Sequence, residues 1–253
     1  MDLKRRVEWT LGGAAAVLGA AAVSYAGYVG SAWLRFGHAP APAENEADSL
    51  LDVFMPTYDV AEWHHVGVGA PADVTFGALM DLDLEESLLI RAVFKGREML
   101  LGAEPKMKEG PRSLLAVTKE LGWVVLADMP GHEIVMGAVT RPWESNVIFR
   151  GIAPEHFAAF NEPGYVKIVW TLRADAVSPY SSTARSETRA IATDASARRK
   201  FRWYWARFSA GIVLIREVSM RLVKKEAERR ARLVAQLGAS GARPTAASEA
   251  RPK

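Results

Sequence analysis

A long uncharged apolar stretch dominates the hydrophobic pattern at the start of the chain. No charged residue occurs between Glu8 and Arg35, and a helix over residues 9–34 would be about 39 Å long, against a hydrocarbon core of roughly 30 Å. Trp9 and Trp33 stand at its two ends, where indole rings favour the membrane interface. The pattern predicts a transmembrane helix over these residues.

The charges that flank this stretch predict its orientation. The basic N-terminal segment, residues 1–8, contains Lys4-Arg5-Arg6, which outweigh the positive charge of Arg35 on the other side. Under the positive-inside rule, we expect a single-pass membrane protein whose domain is extracytoplasmic. A cleaved signal peptide is the alternative, because Ser24-Tyr25-Ala26 resembles a cleavage site. The apolar run is nevertheless longer than the usual signal-peptide core of about 7–15 residues.

Local composition divides the rest of the chain into three parts. Residues 35–54 contain prolines and clustered acids, which is typical of a solvated linker. Residues 237–253 are rich in Ala, Ser, Gly, Arg and Pro, and we expect them to be disordered. Residues 55–236 are therefore the expected folded domain.

Within that domain, the spacing of apolar residues predicts one strand, two helices, a run of strands and a long final helix. The predicted strands are 62–69, 123–127, 133–140, 146–152, 165–174 and 183–193, and the first two helices are 70–79 and 88–101. Asp194 caps the final helix, whose apolar stripe runs from Phe201 to Leu222. This order predicts an α+β fold in which a curved antiparallel sheet wraps around the long C-terminal helix.

The predicted strand 183–193 carries charge on one of its faces. Arg185, Glu187 and Arg189 alternate with small residues and therefore share a face. Alternating charge on a strand favours a solvated face of salt bridges. The alternative is a cavity wall with fixed polar groups.

Aromatic residues are expected on the inward face of the predicted sheet and helix. Trp170 alternates with aliphatic residues along the predicted strand 165–174, and Trp205 and Phe208 belong to the stripe of the final helix. Both a filled core and a cavity lining fit such residues.

Composition and motifs exclude several classes of chemistry. The chain has no cysteine, so thiol catalysis, Fe–S clusters and Cys-ligated zinc are excluded, and a net charge of +3 is small for nucleic-acid binding. His64 and His65 are adjacent on a predicted strand and point to opposite faces. The HExxH pattern that starts at His132 has Met136 in place of its second histidine. The sequence predicts no metal, no cofactor and no nucleic-acid partner, and it contains no recognisable catalytic motif.

Three strings resemble the START-like, or SRPBCC, superfamily of helix-grip proteins, which includes polyketide cyclases and lipid-transfer domains. They are VGVGAPADVTFGALMDLDL at 66–84, PGHEIVMGAVTRPW at 130–143 and STARSETRAIATDASARRKFRWYW at 182–205. The resemblance covers roughly residues 58–226 and implies a helix-grip fold with space between sheet and final helix. It implies no particular reaction, because no catalytic signature defines this superfamily.

The leading hypothesis is membrane-anchored binding or transport of a hydrophobic small molecule or lipid in the helix-grip cavity. The expected ligand contacts are Trp170, Glu187, Arg189, Trp205 and Phe208. The expected partners are this apolar ligand and the lipid bilayer, which residues 9–34 would contact. One alternative is a cyclase- or dehydratase-like enzyme that uses Glu133, Glu187 or a histidine as general base. Another is a scaffold domain with a filled cavity.

Overall fold

The computed structural model describes residues 3–43, 46–83 and 113–241. Its helices are α1 (Leu3–Arg35), α2 (Ser49–Phe54), α3 (Ala72–Met80), α4 (Leu114–Glu120), α5 (Pro154–Phe157) and α6 (Ala195–Gly241). Its strands are β1 (Val60–Val68), β2 (Val124–Met129), β3 (Glu133–Thr140), β4 (Val166–Ser178) and β5 (Ser181–Ala192). The predicted helix 88–101 lies outside the described residues, as does the tail after Gly241.

The strands of the described residues form one antiparallel sheet in the order β1-β5-β4-β3-β2. Strands β2 to β5 follow one another as a meander, and Gly131, with a φ of 77°, lies in the turn between β2 and β3. Strand β1 pairs with β5, so the first strand in the sequence forms the edge opposite β2. With the long helix α6, this arrangement confirms the predicted α+β fold.

One face of the sheet, which we call the grip face, packs against α3 and α6. The side chains buried in this contact come from the sheet and from both helices. They include Val68, Phe76, Leu79, Ile134, Met136, Trp170, Leu172, Met220 and Val223. Helix and sheet bury one another because each has a single apolar side. The predicted contact between the final helix and the sheet is therefore present.

The opposite face, which we call the outer face, is covered by α2 and α5. Leu51 and Phe54 of α2 and Phe157 of α5 are buried against Val135 and Val169 of the sheet. Helix α2 belongs to the segment predicted as a solvated linker, yet its apolar side chains lose their contact with water here. The folded domain therefore begins before residue 55.

Asp194 begins helix α6 as the sequence predicts. Its Oδ1 accepts hydrogen bonds from the backbone N–H groups of Ser196, at 2.7 Å, and Ala197, at 3.0 Å. Its Oδ2 accepts a further bond from the backbone N–H of Gly164. Asp194 thus satisfies donors at the helix start and connects that start to the loop before β4.

The predicted strand over residues 146–152 is wrong. Strand β2 begins at Val124, opposite Gly137, so it leaves only the end of β3 free on that edge. Arg150 fills this place with a single bridge to Val139, with both N–O distances at 2.9 Å. Since no further edge is available there, the rest of the segment does not pair as a strand.

Helix α1 covers the predicted membrane helix 9–34, and its C-terminal part packs against α6. The rings of Trp33 and Trp203 lie 4.5 Å apart, and the Tyr25 hydroxyl donates to the backbone carbonyl of Arg207 at 2.6 Å. In the portion of the chain that the structure describes, none of the helices has the length and apolar character required to cross a membrane. The end of α1 is part of the folded domain.

Candidate ligand-binding site

A polar cluster lies on the grip face beneath α6. The β1–β5 register places His64 opposite Ser186, and the β4–β5 register places Trp170 opposite Thr188. Arg216 of α6 donates from Nη1 to the Oγ of Ser186 at 3.3 Å, and its guanidinium carbon lies 5.2 Å from the centre of the Trp170 ring. Three strands and one helix thus bring polar groups together in an interface that is apolar elsewhere.

Several groups in this cluster have no partner among the described residues. The buried Nε2 of His64 and Oγ1 of Thr188 make no hydrogen bond there. No carboxylate of the same described residues lies within 4.0 Å of the Arg216 guanidinium. A buried polar atom without a partner costs about 1–3 kcal/mol, so such atoms indicate a place for water or a ligand.

The surroundings determine the charge of this cluster. Burial, and to a smaller extent the positive charge of Arg216, lowers the pKa of His64 to about 4, so the imidazole is neutral at pH 7. Burial lowers the pKa of Arg216 to about 10, which leaves the guanidinium protonated at pH 7. Glu217 acts on His64 in the opposite direction, but its carboxylate pairs with Arg221 at 3.8 Å. In the described part of the chain, no three potential metal ligands come together.

An open groove leads to this cluster between the edge strand β1 and α6. It has a volume of about 310 Å³ and is lined by Trp63, His64, His65, Val66, Glu217, Met220 and Arg221. His64 belongs both to the groove wall and to the polar cluster. The volume is at the lower end of the range of roughly 300–1,000 Å³ for small-molecule pockets. The groove can therefore admit a small ligand that has one end at His64.

Glu187 and Arg189, two of the predicted ligand contacts, lie on the outer face. The predicted solvated salt-bridge face is wrong, because α2 covers it and leaves Glu187 4% and Arg189 1% exposed. Arg189 donates to Glu187 Oε1 at 2.5 Å, to Asp52 Oδ1 at 2.5 Å and to the carbonyl of Met55 at 2.9 Å. These two residues hold α2 on the sheet and do not reach the groove.

A small pocket of about 20 Å³ adjoins Glu187 on the outer face. Trp63, which is opposite Glu187 in the β1–β5 register, also lines it. The Nε1 of Trp63 and the Oε2 of Glu187 are buried without a partner among the described residues. This volume suits about one water molecule, which could satisfy both atoms. The pocket is too small for an organic ligand.

Of the predicted aromatic contacts, only Trp170 lies in the polar cluster. Trp205 is buried beside Phe201, with ring centres 5.8 Å apart, close to the end of α1. Phe208 is only partly buried and packs on Tyr204 at 5.1 Å. The structure therefore does not bring the predicted site residues together.

The residue that the sequence analysis missed is Arg216. It follows Ile212 and precedes Met220 by four residues, so it lies on the side of α6 that packs against the sheet. A single arginine within a buried apolar stripe is the signal that could have identified it, because a charged residue is seldom buried without a partner.

Glu133, the predicted general base, lies on the outer face, on the side of the sheet opposite the groove. Burial and the neighbouring Asp48 carboxylate, opposed in part by Arg173, raise the pKa of Glu133 to about 8. The Glu133 carboxyl group is therefore protonated at neutral pH, which makes it unsuited to accept a proton there. It cannot act on a ligand in the groove.

The stability of the protein is expected to fall as the pH rises from about 6.5 to 8. Folded Glu133 holds a proton that the unfolded chain releases above its ordinary pKa of 4.5, so stability decreases with pH until about pH 8. The lowered pKa of His64 has the opposite effect, but only below its ordinary value of 6.5. Above pH 6.5 the His64 effect ends while the Glu133 effect continues, and we expect Glu133 to contribute a loss of about 2 kcal/mol.

Urea unfolding of the full chain at pH 6.5 and pH 8 measures this difference. Glu133→Gln should remove most of the loss, since glutamine does not titrate. Glu155→Gln, at an exposed position of α5, should leave the loss unchanged. An equal loss in wild type and Glu133→Gln would show that another group is responsible.

Comparison with known proteins gives fold neighbours only. No protein-family model matches the chain, and no curated protein sequence does. A conserved protein from Geobacillus kaustophilus is 12% identical, with 67% of this chain and 95% of that chain covered, at a TM-score of 0.30. The di-domain ARO/CYC protein BexL is 13% identical (66% and 46% covered, TM-score 0.29). The Zhui aromatase/cyclase from a Streptomyces species is 14% identical (67% and 94% covered, TM-score 0.22). At such TM-scores these neighbours assign neither fold, family nor function.

Proposed function

We propose that the protein binds a hydrophobic small molecule or lipid in the groove between β1 and α6. The observation that carries this proposal is that His64, which lines the groove, has a buried Nε2 without a partner among the described residues, as does the Oγ1 of the neighbouring Thr188. A bound ligand would supply those partners. A domain with a filled, purely structural interface would gain stability from apolar residues at these positions.

The lining of the groove suits a ligand with an apolar body and one polar end. Val66 and Met220 offer apolar surface along it. The paired side chains of Glu217 and Arg221 stand at its exposed side. A ligand that lies along the apolar surface would place its polar end at His64.

We further propose that the exposed part of α1 attaches the domain to a membrane, with the domain on the extracytoplasmic side. Every residue from Gly19 to Gly27 is exposed, and most of them are apolar. Tyr25 of this segment, Trp33 and Trp203 form an aromatic surface between α1 and α6, and aromatic rings of this kind favour the membrane interface. A domain held there would meet apolar ligands that partition into lipid.

A cyclase- or dehydratase-like activity is less well supported by the geometry. Glu133 and Glu187 lie on the outer face beneath α2, so neither can serve as a base in the groove. His64 does line the groove, but its lowered pKa makes it a weak base.

The proposed function is tested by recovering the full chain from cells and asking what it carries. The membrane and soluble fractions are separated, and the purified protein is analysed by native mass spectrometry followed by solvent extraction. We expect the chain in the membrane fraction with one apolar molecule bound per chain. Val66→Trp, which fills the groove, should lose that molecule, whereas Val177→Trp, at an exposed site on β4, should keep it.

Two results would overturn the proposal. A chain that carries no ligand, and gains no thermal stability from added fatty acids, alcohols or isoprenoids, would favour a filled scaffold. Conversion of a ketide-like probe would favour an enzyme.

A further inference from the structure

We propose that Arg216 makes the groove selective for an apolar ligand that carries one carboxylate. This inference rests on the proposed function, because it specifies which ligands the same site accepts. It goes further because it identifies the side chain that contacts the polar end of the ligand.

Arg216 differs from the other arginines that are buried on the sheet. Arg173 pairs with Asp48 and Asp175, and Arg189 pairs with Glu187, each within 4.0 Å. Arg216 has only the hydroxyl of Ser186, at 3.3 Å, and the face of the Trp170 ring. Most of its N–H groups therefore have no acceptor among the described residues, and none of the carboxylates in that part of the chain contacts its positive charge.

The acids nearest to Arg216 do not fill that role. Glu217 pairs with Arg221 on the exposed side of α6. Glu62 lies opposite Thr188 in the β1–β5 register, but its carboxylate is not within 4.0 Å of the Arg216 guanidinium. Among the described residues no carboxylate contacts the guanidinium, so its charge is available to an external anion.

Stability alone does not explain an arginine at this position. A partly buried charge without a partner lowers stability, and an apolar side chain of similar volume is often the more stable choice. Met220 and Val223 show that neighbouring positions of the same stripe are apolar. An arginine kept at such a cost indicates a ligand contact, because guanidinium groups bind carboxylates through two parallel hydrogen bonds.

The charge of the cluster favours a carboxylate over a phosphate. Arg216 contributes one positive charge, while His64 is neutral at pH 7. One carboxylate balances that charge, whereas a phosphate monoester with about two negative charges would leave one unbalanced in a buried place. The free Nε2 of His64 and Oγ1 of Thr188 can complete the hydrogen bonds of the carboxylate.

Binding of three matched probes to the purified full chain tests the inference. The probes are decanoic acid, 1-decanol and decyl phosphate, which share one apolar chain and differ in the head group. We expect decanoic acid to bind about 10- to 100-fold more tightly than 1-decanol, as a charge-assisted hydrogen bond predicts. Tryptophan fluorescence can follow the titration, since the Trp170 ring lies against the Arg216 guanidinium.

Three variants separate the role of Arg216 from that of positive charge in general. Arg216→Met should lose the preference for the acid while it still binds 1-decanol, and without ligand it should be at least as stable as wild type. Lys225→Met, at an exposed position further along α6 and outside the groove lining, should keep the preference. Arg216→Lys keeps the positive charge but lacks the planar guanidinium group that forms two parallel hydrogen bonds. It should therefore retain only part of the preference.

The outcomes are distinguishable. If wild type binds decanoic acid and 1-decanol equally, the role of Arg216 is refuted while the proposed function stands. Tighter binding of decyl phosphate refutes the choice of carboxylate. If none of the probes binds to wild type, the proposed function itself fails. If Arg216→Met does not fold, an unchanged preference in Arg216→Lys would still contradict the bidentate contact.

Discussion

Replacing Arg189 by Met is expected to lower the free energy of unfolding by about 3–5 kcal/mol. Arg189 is 1% exposed, and its guanidinium contacts the carboxylate of Glu187 and the carbonyl of Met55. Its removal leaves the Glu187 carboxylate buried without its counter-charge, beneath the covering helix α2. Urea unfolding of the full chain measures the change.

A second substitution and a control identify the cause of that loss. Glu187→Gln introduced together with Arg189→Met should restore part of the stability, since no unpaired charge then remains. Asp52→Asn removes the other carboxylate, which is 53% exposed in its ion pair, and should cost no more than about 1 kcal/mol. If Arg189→Met costs as little as Asp52→Asn, the buried ion pair does not hold α2 on the sheet.

Replacing Phe201 by Ala is likewise expected to cost about 3–5 kcal/mol, because it empties a well-packed core site. Phe201 is 1% exposed and contacts the rings of Phe36, at 5.5 Å, and Trp205, at 5.8 Å. These contacts join the end of α1 to the first turns of α6. The thermal midpoint and the urea midpoint of the full chain should both fall.

Phe208 provides the matched comparison on the same helix. It belongs to the apolar stripe that the sequence predicts to be buried, yet in the structure it is only partly buried beside Tyr204. Phe208→Ala should therefore cost about 1 kcal/mol, mostly the loss of one aromatic pair. Equal losses at Phe201 and Phe208 would contradict this packing.

The regular elements could be predicted where a local pattern has one consistent partner. The alternation in β4 and β5 predicts two strands, and their register pairs Trp170 with Thr188. Asp194 predicts the start of α6 because a capping side chain acts within three residues of itself. The segment 146–152 has a similar alternation and no free strand edge to pair with, so the same reasoning fails there.

The candidate site could be predicted only in part. Trp170 follows from the inward face of β4, but Glu187 and Arg189 lie on the face that α2 covers. Arg216 was missed because the apolar stripe around it suggests ordinary packing. Its importance depends on which carboxylates are within reach, and that is a property of the folded chain.

The sequence by itself determined the fold class, the strand alternation, the cap of α6 and the exclusion of cysteine chemistry, because each depends on near neighbours or on composition. Only the tertiary structure decided which charged residues are buried and with what partners. Arg189 and Arg216 both look like solvated arginines in the sequence. Arg189 is enclosed with carboxylates beneath α2. Arg216 extends from α6 towards the sheet, where no carboxylate of the described residues contacts it. The difference arises because burial and pairing come from segments far apart in the chain, brought together only when sheet and helices pack.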